Sequence, residues 1–262
     1  MINLVDTGAG QPPIVFIHGF TCGLSDWDEQ LRALSGSHRC IAVDLPGHGA
    51  SAAPREATVH ALAAAVVDVL DVLDLPPAVL VGHSMGCRIV SETYRQAPQR
   101  ACAVVYVDGS LLAPGDADEA VRRNRDEIDR IGMAAMTARL YDGFFVDTTP
   151  AAVRDRVRAR LPHIDLEFAR RLWLDLVRWD AVRSRAVLDA VAVPALVIQS
   201  TALDPQLRRV SLVPGQGSPW SDEVMRRVQE ATLEIVPGVG HFPMFEAPQA
   251  TSAALARFIA RL

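Results

Sequence analysis

The sequence predicts an α/β fold, a mostly parallel sheet flanked by helices on both faces, with one helical insertion. Short apolar runs of strand character alternate with longer patterns of helical period, which is typical of parallel strands connected by helices. A chain of 262 residues is long enough to bury a large core around such a sheet. One long stretch, residues 114–189, breaks the alternation and predicts the insertion.

Six apolar runs are predicted as strands. They are residues 14–17, 40–43, 79–81, 103–107, 195–198 and 233–236. Between the second and third runs, apolar residues recur at helical spacing while acidic residues lie on another face. This pattern predicts an amphipathic helix packed on the sheet, formed around Val59, Leu62, Val66, Leu70 and Leu73.

The insertion contains several helical patterns and no run with convincing strand character. We therefore expect residues 1–113 and 190–262 to form an α/β core and residues 114–189 to form a helical cap. Apolar stripes on the helices of this cap are interpreted mainly as surfaces that pack on the core.

The composition excludes several classes of function. Half of the residues are hydrophobic and the formal net charge is -5, which indicates neither a disordered chain nor a nucleic-acid-binding protein with a basic surface. The sequence contains no lysine, so a Schiff-base lysine, a pyridoxal-phosphate lysine and a Walker A loop are excluded. The ligand expected from this composition is small and uncharged or apolar.

The cysteines and residues 1–6 are informative about the cellular compartment of the protein. Cys22, Cys40, Cys87 and Cys102 form no C-x-x-C pair, and we interpret them as reduced, mostly buried thiols. Residues 1–6 lack the basic and apolar segments of a signal peptide, and no stretch approaches the roughly 18 apolar residues of a membrane span. We expect a soluble, cytoplasmic protein.

A candidate nucleophile lies in residues 82–86 (GHSMG), which fit the pattern G-x-S-x-G. Residues 78–81 predict a buried strand before it, and residues 87–97 predict a helix that ends before Pro98. A strand-to-helix turn of this kind holds its central serine in a strained conformation at the carboxyl edge of the sheet. We therefore predict Ser84 as the nucleophile, with an ordinary glycine-rich turn as the alternative.

A serine nucleophile needs hydrogen-bond donors for the oxyanion of its tetrahedral intermediate. The first predicted strand ends in residues 18–20 (HGF), which place a loop amide near the nucleophile, and Met85 begins the helix after Ser84. Free amides and the helix dipole favour negative charge there. We predict the N–H groups of Phe20 and Met85 as the two donors and a structural role for His18.

A general base is expected after the last strand. His241 lies in a glycine-rich segment, residues 238–243 (GVGHFP), directly after the run at 233–236. His38, His60 and His163 lie in polar helical or loop settings, and His48 fits a turn. We therefore predict His241 as the base that activates Ser84.

These motifs together resemble the α/β-hydrolase superfamily, and in particular its capped serine esterases and lactonases. The resemblance rests on residues 82–86, 18–20, 44–51 (DLPGHGAS) and 240–242 (GHF), and it spans essentially the whole chain. It implies an α/β-hydrolase fold with residues 114–189 in the position of the family's cap. Serine at residue 84 disfavours the haloalkane dehalogenases and epoxide hydrolases of the superfamily, which carry aspartate there.

The resemblance leaves two candidates for the acid of a Ser-His-Asp triad. Most relatives carry the acid a few residues after the strand that is here 195–198, usually behind a glycine, which implies Asp204. Residues 199–203 contain no glycine, however, and a long loop-like stretch follows before a helix near Ser221. Asp108 stands directly behind the strand 103–107, where other relatives place the acid. We favour Asp108 and keep Asp204 as the alternative.

The function predicted is that of a carboxylic-ester hydrolase, an esterase or a lactonase, which works through a serine acyl-enzyme. No cofactor or metal is required. The expected partners are a small-molecule ester or lactone and water, with no nucleic acid and no membrane. Two alternatives stay open: a carbon–carbon bond hydrolase of a ring-cleavage product, and a weakly catalytic ligand receptor on the same fold. The natural substrate and the oligomeric state are not predicted.

Six apolar side chains are predicted to line the substrate pocket. Trp220 lies in the predicted loop before the last strand, and the other five belong to the cap: Met133, Met136, Phe144, Phe145 and Trp173. Because the cap follows the strand that carries Asp108, we expect it to cover the site.

Overall fold

The structure, a computed structural model, describes residues 2–111, 115–204 and 208–262. The strands in these residues are, in chain order, β1 (Leu4–Thr7), β2 (Ile14–Ile17), β3 (Cys40–Val43), β4 (Ala78–His83), β5 (Ala101–Val107), β6 (Ala195–Gln199), β7 (Thr201–Leu203), β8 (Arg209–Ser211) and β9 (Ala231–Ile235). The main sheet has the order β1-β3-β2-β4-β5-β6-β9, and β7 and β8 pair as a short antiparallel hairpin. Only β1 runs antiparallel to its neighbour in the main sheet of the described chain. The mostly parallel sheet predicted from the sequence is confirmed.

Helices cover both faces of this sheet. In chain order they are α1 (Asp28–Leu34), α2 (Val59–Val72), α3 (Met85–Gln96), α4 (Ala117–Ile131), α5 (Met133–Asp142), α6 (Ala151–Arg158), α7 (Leu166–Val182), α8 (Ser184–Asp189), α9 (Pro219–Arg227), α10 (Pro243–Glu246) and α11 (Pro248–Ile259), with 3₁₀ turns at Leu24–Trp27, Pro98–Arg100 and Leu161–His163. The apolar faces of α1 and α11 pack on one side of the sheet, and those of α2 and α3 pack on the other.

The strand β2 is covered on both faces, which explains why all four of its residues are apolar. Ile14 and Phe16 belong to the apolar core on one face of the sheet, and Val15 and Ile17 belong to the core on the other face. Successive side chains of a strand point to opposite faces, so a strand covered on both sides needs an apolar residue at every position. All four side chains are fully buried.

The helices α4 to α8 lie between β5 and β6 in the chain, within the segment predicted as a cap. The helix α7 packs against α4 and α2, and its Leu172 and Leu176 join the same apolar core as α2. The carboxylate of Asp175 on α7 accepts a hydrogen bond from the first N–H of α2, at Val59, at 2.7 Å. The insertion is thus tied to the helices that cover the sheet, while its division from the core as a separate unit stays a prediction.

The structure differs from the sequence-based prediction in several places, among them the last strand, which was predicted at residues 233–236 and is Ala231–Ile235. The strand β1 and the hairpin β7-β8 were not predicted, and Trp220, predicted to lie in a loop, is the second residue of α9. The four cysteines are free thiols as predicted, with Cys102 half-buried and the other three buried. No helix among the described residues has both the length and the apolar character needed to cross a bilayer.

Candidate active site

Ser84 lies on a sharp turn between β4 and α3. Its backbone has φ 53° and ψ -112°, in the left-handed half of conformational space that side chains other than glycine rarely occupy. The turn also requires glycine at residue 82, because a Cβ there would lie 2.2 Å from the carbonyl oxygen of Gly86. The serine side chain is therefore presented at the carboxyl edge of the sheet, as expected for a nucleophile elbow.

Three side chains from three strand ends form a hydrogen-bonded chain at this edge. Ser84 Oγ lies 2.9 Å from His241 Nε2, and His241 Nδ1 lies 2.6 Å from Asp108 Oδ2. A carboxylate accepts at Nδ1, so this geometry selects the neutral tautomer with the proton on Nδ1 and a free lone pair on Nε2. That lone pair faces the hydroxyl of Ser84.

Asp108 follows β5 with φ 42° and is fully buried. Its oxygens accept hydrogen bonds from an extensive set of donors, which are Gln199 Nε2, Ser200 N and Oγ, Thr201 N and Oγ1, His241 Nδ1 and Arg209 Nη1. Although burial opposes ionisation, the adjacent Arg209 and these donors hold the pKa of Asp108 well below its ordinary value. Asp108 is therefore a permanent carboxylate.

Asp204, the alternative acid, has a different surrounding. Its carboxylate accepts hydrogen bonds from the backbone N–H of Arg208 at 2.8 Å and from Nε of the same residue at 2.9 Å. The carboxylate that contacts His241 Nδ1 is that of Asp108. The structure brings together Ser84, His241 and Asp108, and it places Asp204 in an ion pair on the hairpin.

The segment predicted to supply an oxyanion donor packs directly against the nucleophile. A Cβ on Gly19 would lie 3.0 Å from His83 Nδ1 and 3.3 Å from Ser84 Cβ, so glycine favours this close approach, and Phe20 is the next residue. Met85 is the first residue of α3, where the amides have no partner within the helix. His18 has the structural role predicted: its Nε2 accepts from Leu45 N at 3.0 Å, which joins the ends of β2 and β3.

His241 is buried in the loop between β9 and α10, beside cationic groups. Burial lowers its pKa to about 4, the charges of Arg209 and Arg88 lower it as well, and Asp108 acts in the opposite direction. The imidazole is therefore neutral over the whole neutral pH range. A neutral imidazole is the form in which a histidine accepts a proton.

Two buried arginines at the site were not predicted from the sequence. Arg209 on β8 donates from Nη1 to Asp108 Oδ2 at 3.0 Å, and its Nη2 lies 3.4 Å from His241 Nε2. Arg88 on α3 donates to Ser84 O at 3.3 Å and to Ser110 O at 2.6 Å, and it forms a buried ion pair with Asp180 of α7. No local pattern marks these two among the 26 basic residues, because only the tertiary fold buries them.

The six predicted pocket residues fall into two groups. Phe144 lies with its ring centroid 4.5 Å from that of His241, the Trp173 ring lies 5.4 Å from that of Phe20, and Trp220 packs on Gly109. These three contact the site or its immediate neighbours.

The other three pocket candidates have different surroundings. Met133 is buried and Met136 is half-buried in the apolar core that includes the cap helices. Phe145 is packed by the guanidinium groups of Arg154 and Arg158, at 5.2 and 5.4 Å from its ring centroid. A role in substrate binding stays a prediction for all six residues.

Comparison with known proteins yields relatives along the whole chain. The chain is 30% identical to the dihydrolipoyllysine-residue acetyltransferase component of the acetoin cleaving system of Pseudomonas putida, over 96% of this chain and 64% of the relative. It is 28% identical to Esterase YbfF of Escherichia coli, over 94% of this chain and 92% of the esterase. It spans less than two thirds of the first relative and nearly the full length of the second.

A solved structure and a family model agree with these relatives. The enol-lactonase of Burkholderia xenovorans superposes with a TM-score of 0.75 at 22% identity, covering 99% of this chain and 96% of the enol-lactonase, which shows a shared fold. The model of the alpha/beta hydrolase family matches residues 14–254. That match includes Ser84, Asp108 and His241. The chain is a member of the alpha/beta hydrolase family.

Proposed function

We propose that the protein is a carboxylic-ester hydrolase, acting on open-chain esters or lactones, with Ser84 as nucleophile, His241 as base and Asp108 as the orienting acid. The observation that carries the proposal is the continuous chain of hydrogen bonds from Ser84 Oγ through His241 to Asp108, at 2.9 and 2.6 Å. Ser84 stands on a strained elbow next to Met85 and close to the segment that carries Phe20, which is the arrangement that acyl transfer requires.

In the proposed acylation, Ser84 Oγ forms a bond to the ester carbonyl carbon while His241 Nε2 takes the hydroxyl proton. The amides of Phe20 and Met85 then donate to the oxyanion of the tetrahedral intermediate. When the carbon–oxygen bond to the alcohol breaks, the imidazolium returns its proton to the leaving oxygen. The products of this half-reaction are a free alcohol and an acyl group on Ser84.

In the proposed deacylation, His241 takes a proton from a water molecule, and the oxygen of that water attacks the acyl carbon. Collapse of the second tetrahedral intermediate returns the proton to Ser84 and releases the acid. Every proton in this cycle moves through His241, so the reaction requires no cofactor. Substrate and water are the partners we propose, in a cytoplasmic setting.

Two relatives support the proposal at the level of reaction class. Esterase YbfF matches nearly the full length of the chain, and the enol-lactonase shares its fold. A lactone is a cyclic ester, so the same attack by a serine on a carbonyl carbon opens it.

The proposal is tested by steady-state hydrolysis of p-nitrophenyl acetate and butyrate. We expect continuous turnover by the unaltered protein, and a loss of roughly 10⁴-fold or more in kcat for Ser84→Ala. Ser37→Ala, at an exposed turn, is the matched control and should retain full activity. A single burst of product without turnover would contradict the proposal and favour a ligand receptor, and full activity of Ser84→Ala would exclude Ser84 as the nucleophile.

A further inference from the structure

A buried guanidinium stands beside the atom that must receive the serine proton. Arg209 Nη2 lies 3.4 Å from His241 Nε2, the same nitrogen that lies 2.9 Å from Ser84 Oγ. The side chain of Arg209 is only 5% exposed. Both the guanidinium of Arg209 and the hydroxyl of Ser84 lie next to His241 Nε2. A substrate bonded to Ser84 through its carbonyl carbon would therefore have its neighbouring groups close to Arg209.

This position of Arg209 opposes protonation of His241, although the carboxylate of Asp108 contacts both side chains and offsets part of the effect. When His241 takes a proton, an imidazolium forms at a nitrogen that faces a fixed positive charge, and like charges repel strongly in a buried site. The carboxylate of Asp108 accepts from Arg209 Nη1 and also from Gln199, Ser200, Thr201 and His241. A bound anion on Arg209 would offset the repulsion at the moment of proton transfer.

The structure offers a place for such an anion. A cavity of about 50 Å³ beside the triad is lined by Arg209, Trp220, Thr201, Ser110 and neighbouring residues. A cavity needs roughly 10 to 15 Å³ to hold one water molecule, so this cavity has room for a group of a few atoms. Arg209 is the single charged side chain that lines it within the described part of the chain, and its Nη1 already donates to Asp108 Oδ2 at 3.0 Å.

Trp220, which also lines this cavity, carries a buried hydrogen-bond donor. The indole nitrogen of Trp220 is buried and has no hydrogen-bond partner among the described residues, and the whole side chain is 3% exposed. A buried N–H without an acceptor is costly, and natural proteins rarely leave one unless a ligand or water completes it. Arginine and an indole N–H are both donors, so the group that completes this cavity is an acceptor with negative charge.

We infer that Arg209 and Trp220 form a carboxylate subsite, and that the preferred substrates are esters whose acyl part carries a carboxylate a few bonds from the scissile carbonyl. The inference rests on the proposed function and narrows its substrate class. A planar carboxylate matches the planar fork of a guanidinium and is small enough for the cavity. It departs from the expectation, based on composition, that the ligand is uncharged or apolar.

The test compares two esters of the same shape that differ in charge. Monoethyl succinate carries a carboxylate where ethyl isocaproate carries an isopropyl group, and hydrolysis of either ester is followed by titration of the acid released. We expect kcat/KM for the succinate half-ester to exceed that for the neutral ester by about tenfold or more in the unaltered protein, since a charged hydrogen bond is gained at the subsite. A ratio of one or less would overturn the inference.

Variants of Arg209 and Trp220 test whether these two donors cause the preference for the half-ester. Arg209→Gln should lower the ratio by about tenfold or more, and Trp220→Phe, which keeps the ring packing and removes the N–H, should lower it by about threefold. The matched control is Arg208→Gln, whose side chain is 72% exposed and pairs with Asp204; its ratio should equal that of the unaltered protein. An unchanged ratio in both Arg209→Gln and Trp220→Phe would also overturn the inference.

A binding experiment separates this inference from the proposed function. Calorimetry with Ser84→Ala measures the affinity for monoethyl succinate and for ethyl isocaproate without turnover. We expect the half-ester to bind about tenfold more tightly, and the difference to disappear when Arg209→Gln is added. A protein that hydrolyses the neutral ester through Ser84 without preferring the half-ester would retain the proposed function and lose the subsite. Equal affinities in Ser84→Ala would reject the subsite even if no ester is hydrolysed.

Discussion

At the scale of single residues, the environment of His241 determines the pH range in which the protein works. Burial and the charges of Arg209 and Arg88 lower its pKa to about 4, while Asp108 opposes the shift. A histidine at its ordinary pKa of about 6.5 would lose its base form below neutral pH. The lowered pKa keeps the imidazole neutral, and therefore able to accept the proton of Ser84, well into the acid range.

We therefore expect kcat/KM to stay constant as the pH falls from 8 and to decline only as it approaches about 4. Initial rates of ester hydrolysis, with far-ultraviolet circular dichroism at each pH to monitor folding, provide the measurement. In Arg209→Gln the decline should move to higher pH, because one positive charge beside His241 is removed. A decline centred near pH 6.5 in the unaltered folded protein would contradict the account of His241.

The acid of the triad is tested by two isosteric changes. Asp108→Asn removes the charge that stabilises the imidazolium and disturbs the tautomer of His241, and an equivalent change in a serine protease costs about 10⁴ in kcat. We expect a loss of that order, whereas Asp204→Asn, which breaks the ion pair with the exposed Arg208, should change kcat by less than about threefold. Steady-state kinetics of both folded variants decide the question. The reverse ranking would assign the acid to Asp204.

The structure brings together the three predicted triad residues, whose positions in the chain made this arrangement predictable. Ser84 and Asp108 directly follow β4 and β5, and His241 lies in the loop after β9, so the meeting of their side chains at one sheet edge can be predicted from sequence. Arg209 cannot be found this way, because Arg208 and Arg209 are adjacent and identical, and only the pairing of β7 with β8 directs one of them inward. The same limitation holds for Arg88.

At the scale of elements, the buried strands were predictable and the marginal ones were not. The runs that form β2 and β3 were predicted at their observed bounds because both faces of these strands are covered and every residue is apolar. The strand β1 is an edge strand with Val5 and Asp6 exposed, and β7 and β8 have three residues each. Such short segments carry too little periodicity, and they become strands only because a partner strand lies beside them.

One contact between elements links the cap to the predicted oxyanion donor. Tyr141 on α5 donates to Thr21 Oγ1 at 2.9 Å, and Thr21 Oγ1 donates to the carbonyl of Phe20 at 2.6 Å. Thr21 has φ 56°, so the backbone after Phe20 is strained and depends on its contacts. We infer that α5 holds the Phe20 amide in place.

We expect Tyr141→Phe to lower kcat by about fivefold with little change in KM, since one buried hydrogen bond contributes about 1 kcal/mol and its loss loosens an oxyanion donor. Tyr94→Phe, which removes the acceptor of Ala192 N at a different place, is the matched control for stability. Its kcat should equal that of the unaltered protein. Equal kcat values for the two variants would show that α5 does not position the oxyanion donor.

At the scale of the whole molecule, buried histidines set the response to acid. Burial lowers the pKa of His48 and His241 to about 4, and it lowers the pKa values of His18 and His83 well below the ordinary value. The unfolded chain binds protons at these residues below about pH 6.5, whereas the folded chain does not. The stability that they contribute is present above that pH and is lost as the pH falls toward 4.

We therefore expect the free energy of unfolding to fall with acidification between about pH 6.5 and 4. Each histidine contributes up to about 1.4 kcal/mol per pH unit to this decrease. The carboxyl of Asp26, whose pKa burial raises, acts in the opposite direction and reduces the slope. Urea denaturation, followed by tryptophan fluorescence at several pH values, measures the free energy of unfolding. A urea midpoint that is the same at pH 8 and pH 5 would contradict this account.

The central claim is that the fold activates Ser84 as a nucleophile, and covalent labelling tests it most directly. The protein is incubated with a fluorophosphonate, digested and sequenced by mass spectrometry, with Ser84→Ala and Ser37→Ala treated in parallel. The account predicts a single adduct on Ser84, no adduct in Ser84→Ala and normal labelling in Ser37→Ala. An adduct on another residue of the unaltered protein, with Ser84 unmodified, would contradict it.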